Sequence, residues 1–292
     1  MESNAKKAYI KIILSGLIFG SNGIVASYID LSSYEIVLTR TVVGGLSLLA
    51  ICLITGKRLP VREHPGQALY VVLSGFAMGA GWMCLYEAYD EIGVGVGALL
   101  GNCGPVIVMM LSPLFFGEKL TAPKLTGFFT VLAGVFLLNG ALDGTLNPRG
   151  VFFGIMSSVF YAVMLISNKK ATEIRGLENT TLQIISAFVA VAAFVVYRQG
   201  FSFSVQPSDV LPILVLGIVN TGFACYCYFS SVAWLPVQTV AVVGYLEPLS
   251  AVILGAVILR EPMGVLKIIG AVLVLGGAFF AETCKPKKHE KA

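Results

Sequence analysis

Apolar residues run through this chain in ten blocks, at 8–29, 33–54, 67–88, 94–116, 122–140, 150–168, 180–197, 209–233, 236–259 and 264–281, and charged residues fall almost entirely between them. Crossing ~30 Å of hydrocarbon takes about 20 mostly apolar residues in a helix. Each block therefore predicts one membrane-spanning helix, and the fold class is an all-α polytopic membrane protein with ten transmembrane helices. The longest gaps, 55–66, 141–149, 169–179 and 198–208, are too short to fold alone. The turn-rich stretch Asn139–Arg149 is the natural midpoint.

The blocks repeat. Pro105, Leu111, Glu118, Lys124, Gly127, Leu132 and Gly134 recur 143 positions later as Pro248, Leu254, Glu261, Lys267, Gly270, Leu275 and Gly277. This divides the chain into a five-helix repeat at 8–140 and a second at 150–281. An odd number of spans per repeat sends the second copy into the membrane from the opposite side. Inverted repeats of this kind place a substrate site near the bilayer midplane, between halves that rock around it.

Composition agrees with the pattern. Apolar residues make up 57% of the 292 and charged residues only 12%, against about a quarter charged in soluble domains. Of the 20 Lys and Arg, Arg149, Arg198, Arg260 and Lys267 fall on one side and Arg40 falls within a span. All the others fall on the opposite side. That asymmetry places both termini in the cytoplasm and makes the net charge of +4 a matter of topology, not a nucleic-acid footprint. The first span is too long for a signal-peptide core and reads as retained. The basic tail from Lys285 reads as a solvated end beside anionic lipid.

Gly117-Glu118-Lys119-Leu120, Gly127 and Leu132-Ala133-Gly134-Val135, preceded by Pro105 and repeated as Leu246-Glu247-Pro248, Arg260-Glu261-Pro262 and Gly270, resemble the ten-helix EamA-type members of the drug/metabolite transporter superfamily. The resemblance covers essentially residues 8–281. It implies that the first four helices of each half line a central pathway and that the fifth packs outside. Gly20-Ser21-Asn22 and Arg40 also resemble the family pattern, although Phe19 stands where many members have tryptophan. The four-helix relatives carry an acid in their first helix for proton coupling. Here Ser21 and Asn22 stand in that region, so their coupling mechanism does not carry over.

Two charges lie inside spans. Glu247 is near the middle of the ninth, where an unpaired charge costs at least ~3 kcal/mol, and Pro248 beside it disturbs the helix. Such an acid suits an ammonium group or a proton, or else a permanent arginine lock. Arg40 lies ~10 Å inside the second span, placed either for a substrate carboxylate or for an ion pair with Glu247, Glu87 or Asp90. Asn22, Asn102 and Asn220 are uncharged candidates for substrate contact, alongside ordinary interhelical hydrogen bonding. Trp82, Tyr86, Tyr161 and Tyr245 are the aromatic candidates, from a cluster that also holds Tyr89, Phe160, Phe223, Tyr226 and Tyr228; aromatic faces hold organic cations or belong to interfacial belts.

Glu118 and Glu261, at span ends, are read as stabilising the N-terminus of the helix that follows. Asp30, Glu35, Glu87, Asp90 and Glu91 form an acidic outer mouth. Gly16/Gly20, Gly75/Gly79 and Gly97/Gly101 have helix-packing spacing, and the Gly127/Gly134 and Gly270/Gly277 stripes mark buttresses or a dimer contact. Cys52, Cys84, Cys103, Cys225, Cys227 and Cys284 show no zinc or redox spacing. His64 and His289 lie outside the spans, and there is no phosphate-binding GxxxxGK[ST] loop. The chain thus reads as a non-enzyme without cofactor or metal, a monomer or homodimer in the cell membrane. Its leading function is secondary transport of amino acids or related zwitterions, with export favoured. The alternatives are an organic-cation or quaternary-amine carrier, and a non-transporting scaffold or membrane enzyme.

Overall fold

The computed structural model describes residues 2–57, 59, 61–139, 147–200, 204–258, 260 and 264–283. Glu261, Cys284, His289 and the basic tail lie outside the described residues, as does most of the turn-rich midpoint. Among the described residues there is no strand. Thirteen α-helices among the described residues build the ten crossings: α1 (Glu2–Gly20) and α2 (Asn22–Ala26), α3 (Ser33–Ile54), α4 (Pro65–Gly101), α5 (Gly104–Phe116), α6 (Ala122–Asn139), α7 (Pro148–Lys170), α8 (Gly176–Gln199), α9 (Val210–Leu214), α10 (Ala224–Val232), α11 (Val237–Gly244), α12 (Leu246–Ile258) and α13 (Val265–Thr283).

Four crossings depart from a single straight helix. Gly93, at φ 79° and ψ 158°, turns the chain inside α4, so the long apolar stretch Pro65–Phe116 holds the third and fourth spans. The fourth span then breaks at Asn102–Cys103 and the ninth at Tyr245. The prolines account for both breaks. A proline ring clashes with the carbonyl four residues earlier, which is Gly101 for Pro105 and Gly244 for Pro248. Each helix stops there and restarts with its proline in the first turn, where a missing N–H costs nothing. Asn102 and Tyr245 are 143 positions apart and share the same backbone conformation, φ −70° and ψ −4°. The first span breaks at Ser21, and in the eighth Val215–Phe223 winds as a π-helix. Among the described residues, neither of these has an equivalent in the other half.

Packing follows the internal repeat. α1 lies against α10 and α12, and its counterpart α7 lies against α4 and α5. These form two bundles, each drawn from both halves. α3 and α8 pack on one another, and α6 packs on α13 outside the bundles. The last pair answers the question of the glycine stripes. A Cβ on Gly127 would lie 2.6 Å from the Gly277 carbonyl oxygen, and one on Gly134 would lie 2.7 Å from that of Gly270; the reverse contacts are equally tight. The stripes join the fifth and tenth spans within one chain. Gly277→Leu is accordingly expected to force α6 and α13 apart, cost at least ~1–3 kcal/mol and lower the midpoint of thermal unfolding in detergent. Gly276→Leu, which meets nothing within 4 Å, serves as the control.

Glycines at helix-packing spacing also pack inside the molecule: Gly20 against Ser250 and Ala251, Gly75 against Gln183 and Ser186, and Gly79 against Ala187 and Ala190. The described cysteines are free thiols.

Candidate functional site

The break between α11 and α12 delivers Glu247 to the first turn of α12. Its side chain is exposed, yet its charge is felt by groups on four other helices: Arg40 on α3, Tyr86 and Tyr89 on α4, Tyr161 on α7, and Cys225 and Tyr228 on α10. An exposed carboxylate so surrounded faces interior space between the two bundles. It makes no ion pair within 4 Å among the described residues.

Arg40 comes from the other side. It is 7% exposed, donates from Nε to Thr221 Oγ1 at 3.0 Å and lies over the Trp82 ring at 4.7 Å. Thr221 sits in the π-helical turn, its hydroxyl also reaching the Leu216 carbonyl. Gly44 and Gly217 let α3 approach that turn, because a Cβ on Gly44 would come within 3.0 Å of it. The ion pair expected between Arg40 and Glu247, Glu87 or Asp90 is not formed. Threonine and tryptophan hold the guanidinium instead, and its outer N–H groups make no hydrogen bond among the described residues. Both Arg40 and Glu247 act on Tyr86 and Cys225, which places these two groups within range of both charges.

The hinges meet beside this space. The Tyr245 hydroxyl donates to the Asn102 carbonyl at 2.8 Å, so the two symmetry-related breaks bond to each other across the bundles. Two segments of the chain, residues 6–140 and 148–283, each match the EamA-like transporter family.

The chain belongs to the EamA-like transporter family.

It is a membrane transporter. Curated relatives include "Uncharacterized transporter YxxF" of Bacillus subtilis (strain 168), 24% identical over 92% of this chain and 88% of that protein. "Protein PecM" of Dickeya dadantii (strain 3937) is 24% identical over 80% of this chain and 78% of its own length. "Uncharacterized inner membrane transporter YedA" of Escherichia coli (strain K12) is 23% identical over 74% and 70%. A solved crystal structure superposes with a TM-score of 0.81 at 19% identity, over 96% of this chain and 97% of that one, and shares the fold.

Within this EamA-type frame the remaining candidates divide. Tyr161 joins the central space, its hydroxyl 3.2 Å from that of Tyr228 and its ring against Gly104, where a Cβ would come within 2.7 Å. Asn22 sits in the first turn of α2 with its buried Oδ1 unpartnered among the described residues. Tyr245 is 1% exposed, its hydroxyl used at the hinge and its ring packed on Phe128. Asn220 is also 1% exposed and donates to the Ile18 carbonyl at 3.0 Å and Ser21 Oγ at 2.8 Å. It holds the break in the first span. Phe223 is exposed and Tyr226 lies beside Lys11, away from this centre.

The acidic mouth is largely neutralised. Glu87, 3% exposed, pairs with Arg198 at 3.1 Å and Arg149 at 3.6 Å, and Glu91 pairs with Arg149 at 3.4 Å. Tyr34 donates to both Glu87 and Asp90, and Glu35 closes a capping box with Ser32. Of the five acids, only Asp30 makes no side-chain hydrogen bond or ion pair among the described residues. Glu118 does stabilise a helix N-terminus, but that of α11 in the other half, not the following helix. Its two oxygens accept from Val237 N at 2.7 Å and Gln238 N at 3.1 Å. Gln238, 1% exposed, donates to Ser112 Oγ at 2.7 Å and accepts from Lys124 at 2.8 Å. Nothing in the sequence pointed to Gln238 or Thr221. Each is an ordinary polar residue in an apolar run, and its partner lies more than 100 residues away.

Proposed function

We propose that this protein carries small amino acids or related zwitterions across the cell membrane by alternating access, with export the favoured direction and both termini in the cytoplasm. Arg40 faces the substrate carboxylate and Glu247 its amine, while Tyr86, Tyr161 and Trp82 wall the space and Asn102 and Asn22 offer uncharged contacts. The observation that carries this reading is the pair of opposite intramembrane charges, not bonded to each other and both acting on the same tyrosine. Charges within the membrane are tolerated where they are paired or where they serve a pathway. A zwitterion satisfies both at once. The inverted repeats 8–140 and 150–281 supply the two-fold alternation, with the Asn102 and Tyr245 breaks as the pivot.

Competition in proteoliposomes tests this directly. Uptake of a radiolabelled neutral amino acid is expected to be inhibited by other amino acids, and not by the decarboxylated amine or the N-acetylated acid, each of which keeps only one charge. Inhibition by the amine alone would remove Arg40 from recognition. That outcome supports the second reading, a carrier of quaternary amines. It has its own observation: Arg40 is already held by Thr221 and Trp82, while Glu247 lies among tyrosines suited to an organic cation.

A further inference from the structure

A polar cavity of about 270 Å³ opens at the lysine-rich end of the molecule, and Glu247 is not among its lining residues. It lies between the first turns of α1, the start of α8 and the end of α10, and it is lined by Lys7, Lys11, Arg175, Tyr226, Ser230 and Trp234. Three cations thus border one small space. Two of them are set on aromatic rings. Lys11 Nζ lies 4.5 Å over Tyr226 and 3.3 Å from its hydroxyl, and the Arg175 guanidinium lies 5.4 Å over Trp234. Rings fix the direction of a cation without neutralising it.

None of the three cations forms an ion pair with a carboxylate whose side chain the structure describes, and Glu178, the acid in the first turn of α8, pairs with Lys57 at 3.1 Å on another face. The 24-residue helix α8 begins at the cavity, and Arg175 at its N-cap provides no side-chain cap. Its first N–H groups therefore add to the positive field. Ser230, 8% exposed, lines the cavity, and its hydroxyl has no hydrogen-bond partner among the described residues. A buried hydroxyl left unsatisfied costs ~1–3 kcal/mol and calls for an acceptor.

We propose that this cavity binds a phosphate group. Phosphate offers two non-bridging acceptor oxygens and a charge of about −1 in a phospholipid diester, or three oxygens and roughly −1.5 to −2 in a monoester; three cations and a helix N-terminus suit either, and arginine forks onto two of the oxygens. The volume suits a headgroup-sized ligand better than a drug-sized one. The phosphate is carried either on an anionic phospholipid of the adjoining leaflet or on a free phosphate ester in the aqueous phase. Trp234 and Tyr226, at the depth where interfacial aromatics gather, are within reach of both.

The chain has two tryptophans, so in a Trp82→Phe background Trp234 alone reports on the cavity. Full-length protein is placed in nanodiscs of phosphatidylcholine, with or without phosphatidylglycerol, and titrated with inorganic phosphate. Trp234 emission and native mass spectrometry are read together. A response to phosphatidylglycerol assigns the lipid source, and a saturable response to phosphate in phosphatidylcholine alone assigns the free ester. In either case Arg175→Gln, at an exposed position, is expected to raise the half-saturation point roughly tenfold with the thermal unfolding midpoint unchanged. Lys7→Gln with Lys11→Gln should weaken it further. No retained or titrated phosphate ligand in wild type, or binding unchanged by Arg175→Gln and by the lysine pair, overturns the proposal.

Discussion

Glu247→Gln is expected to weaken amino-acid binding by roughly 10- to 100-fold, the equivalent of one charge-assisted hydrogen bond worth ~1.5–3 kcal/mol. Glutamine keeps the size and an acceptor oxygen, so the loss isolates the negative charge. The protein itself is expected to remain folded, because the Glu247 carboxylate makes no ion pair with the described residues and its side chain faces open space. Thermal unfolding of the variant should therefore match wild type while the substrate-induced rise in midpoint disappears. A carboxylate that merely locked the bundles would give the reverse pattern, with lower stability and unchanged affinity.

The second large effect concerns the lysine-rich end. Glu118, Gln238, Ser112 and Lys124 tie the end of α5 and the start of α6, in the first half of the chain, to the start of α11 in the second. The positions related to Gln238 and Ser112 by the 143-residue offset are Gly95 and Gly255, which have no side chains to make the same bonds. The latch is therefore one-sided, and under the alternating access proposed above it must break for α5 and α11 to separate at this end. Losing even one charged bond of ~1.5–3 kcal/mol shifts a two-state population ratio by roughly 10- to 100-fold. In Glu118→Ala, spin labels at Lys119→Cys and Ala233→Cys, in a background free of other cysteines, should show a new, longer separation. An unchanged distance distribution would mean that the latch is not what holds α5 and α11 together at this end.

Much of the fold was legible because its causes are local. Block length fixed the ten crossings, and the recurrence of Pro105 as Pro248 placed two equivalent helix breaks. The facing of Gly127 and Gly134 on Gly277 and Gly270 followed less directly, since a glycine stripe does not name its partner. The site was only half legible. Glu247 and Arg40 stand out as charges in apolar runs, and the structure brings them into electrostatic reach of one another. What Arg40 bonds to was not readable, because Thr221 depends on a π-turn in a distant helix and on Gly44 and Gly217 permitting close approach. Asn220 and Tyr245 looked equally available as ligands, yet long-range contacts with Ser21 and Asn102 engage them. The same limit applied to Glu118: its role at a helix N-terminus was foreseeable from its position, and the identity of that helix was not.

The most direct test of the central claim is the current from purified protein on a solid-supported membrane, challenged with amino acids and with quaternary amines, for wild type and Glu247→Gln. Zwitterion transport centred on Glu247 predicts currents with amino acids that vanish in the variant. Currents with quaternary amines alone, or amino-acid currents unchanged by Glu247→Gln, would contradict it.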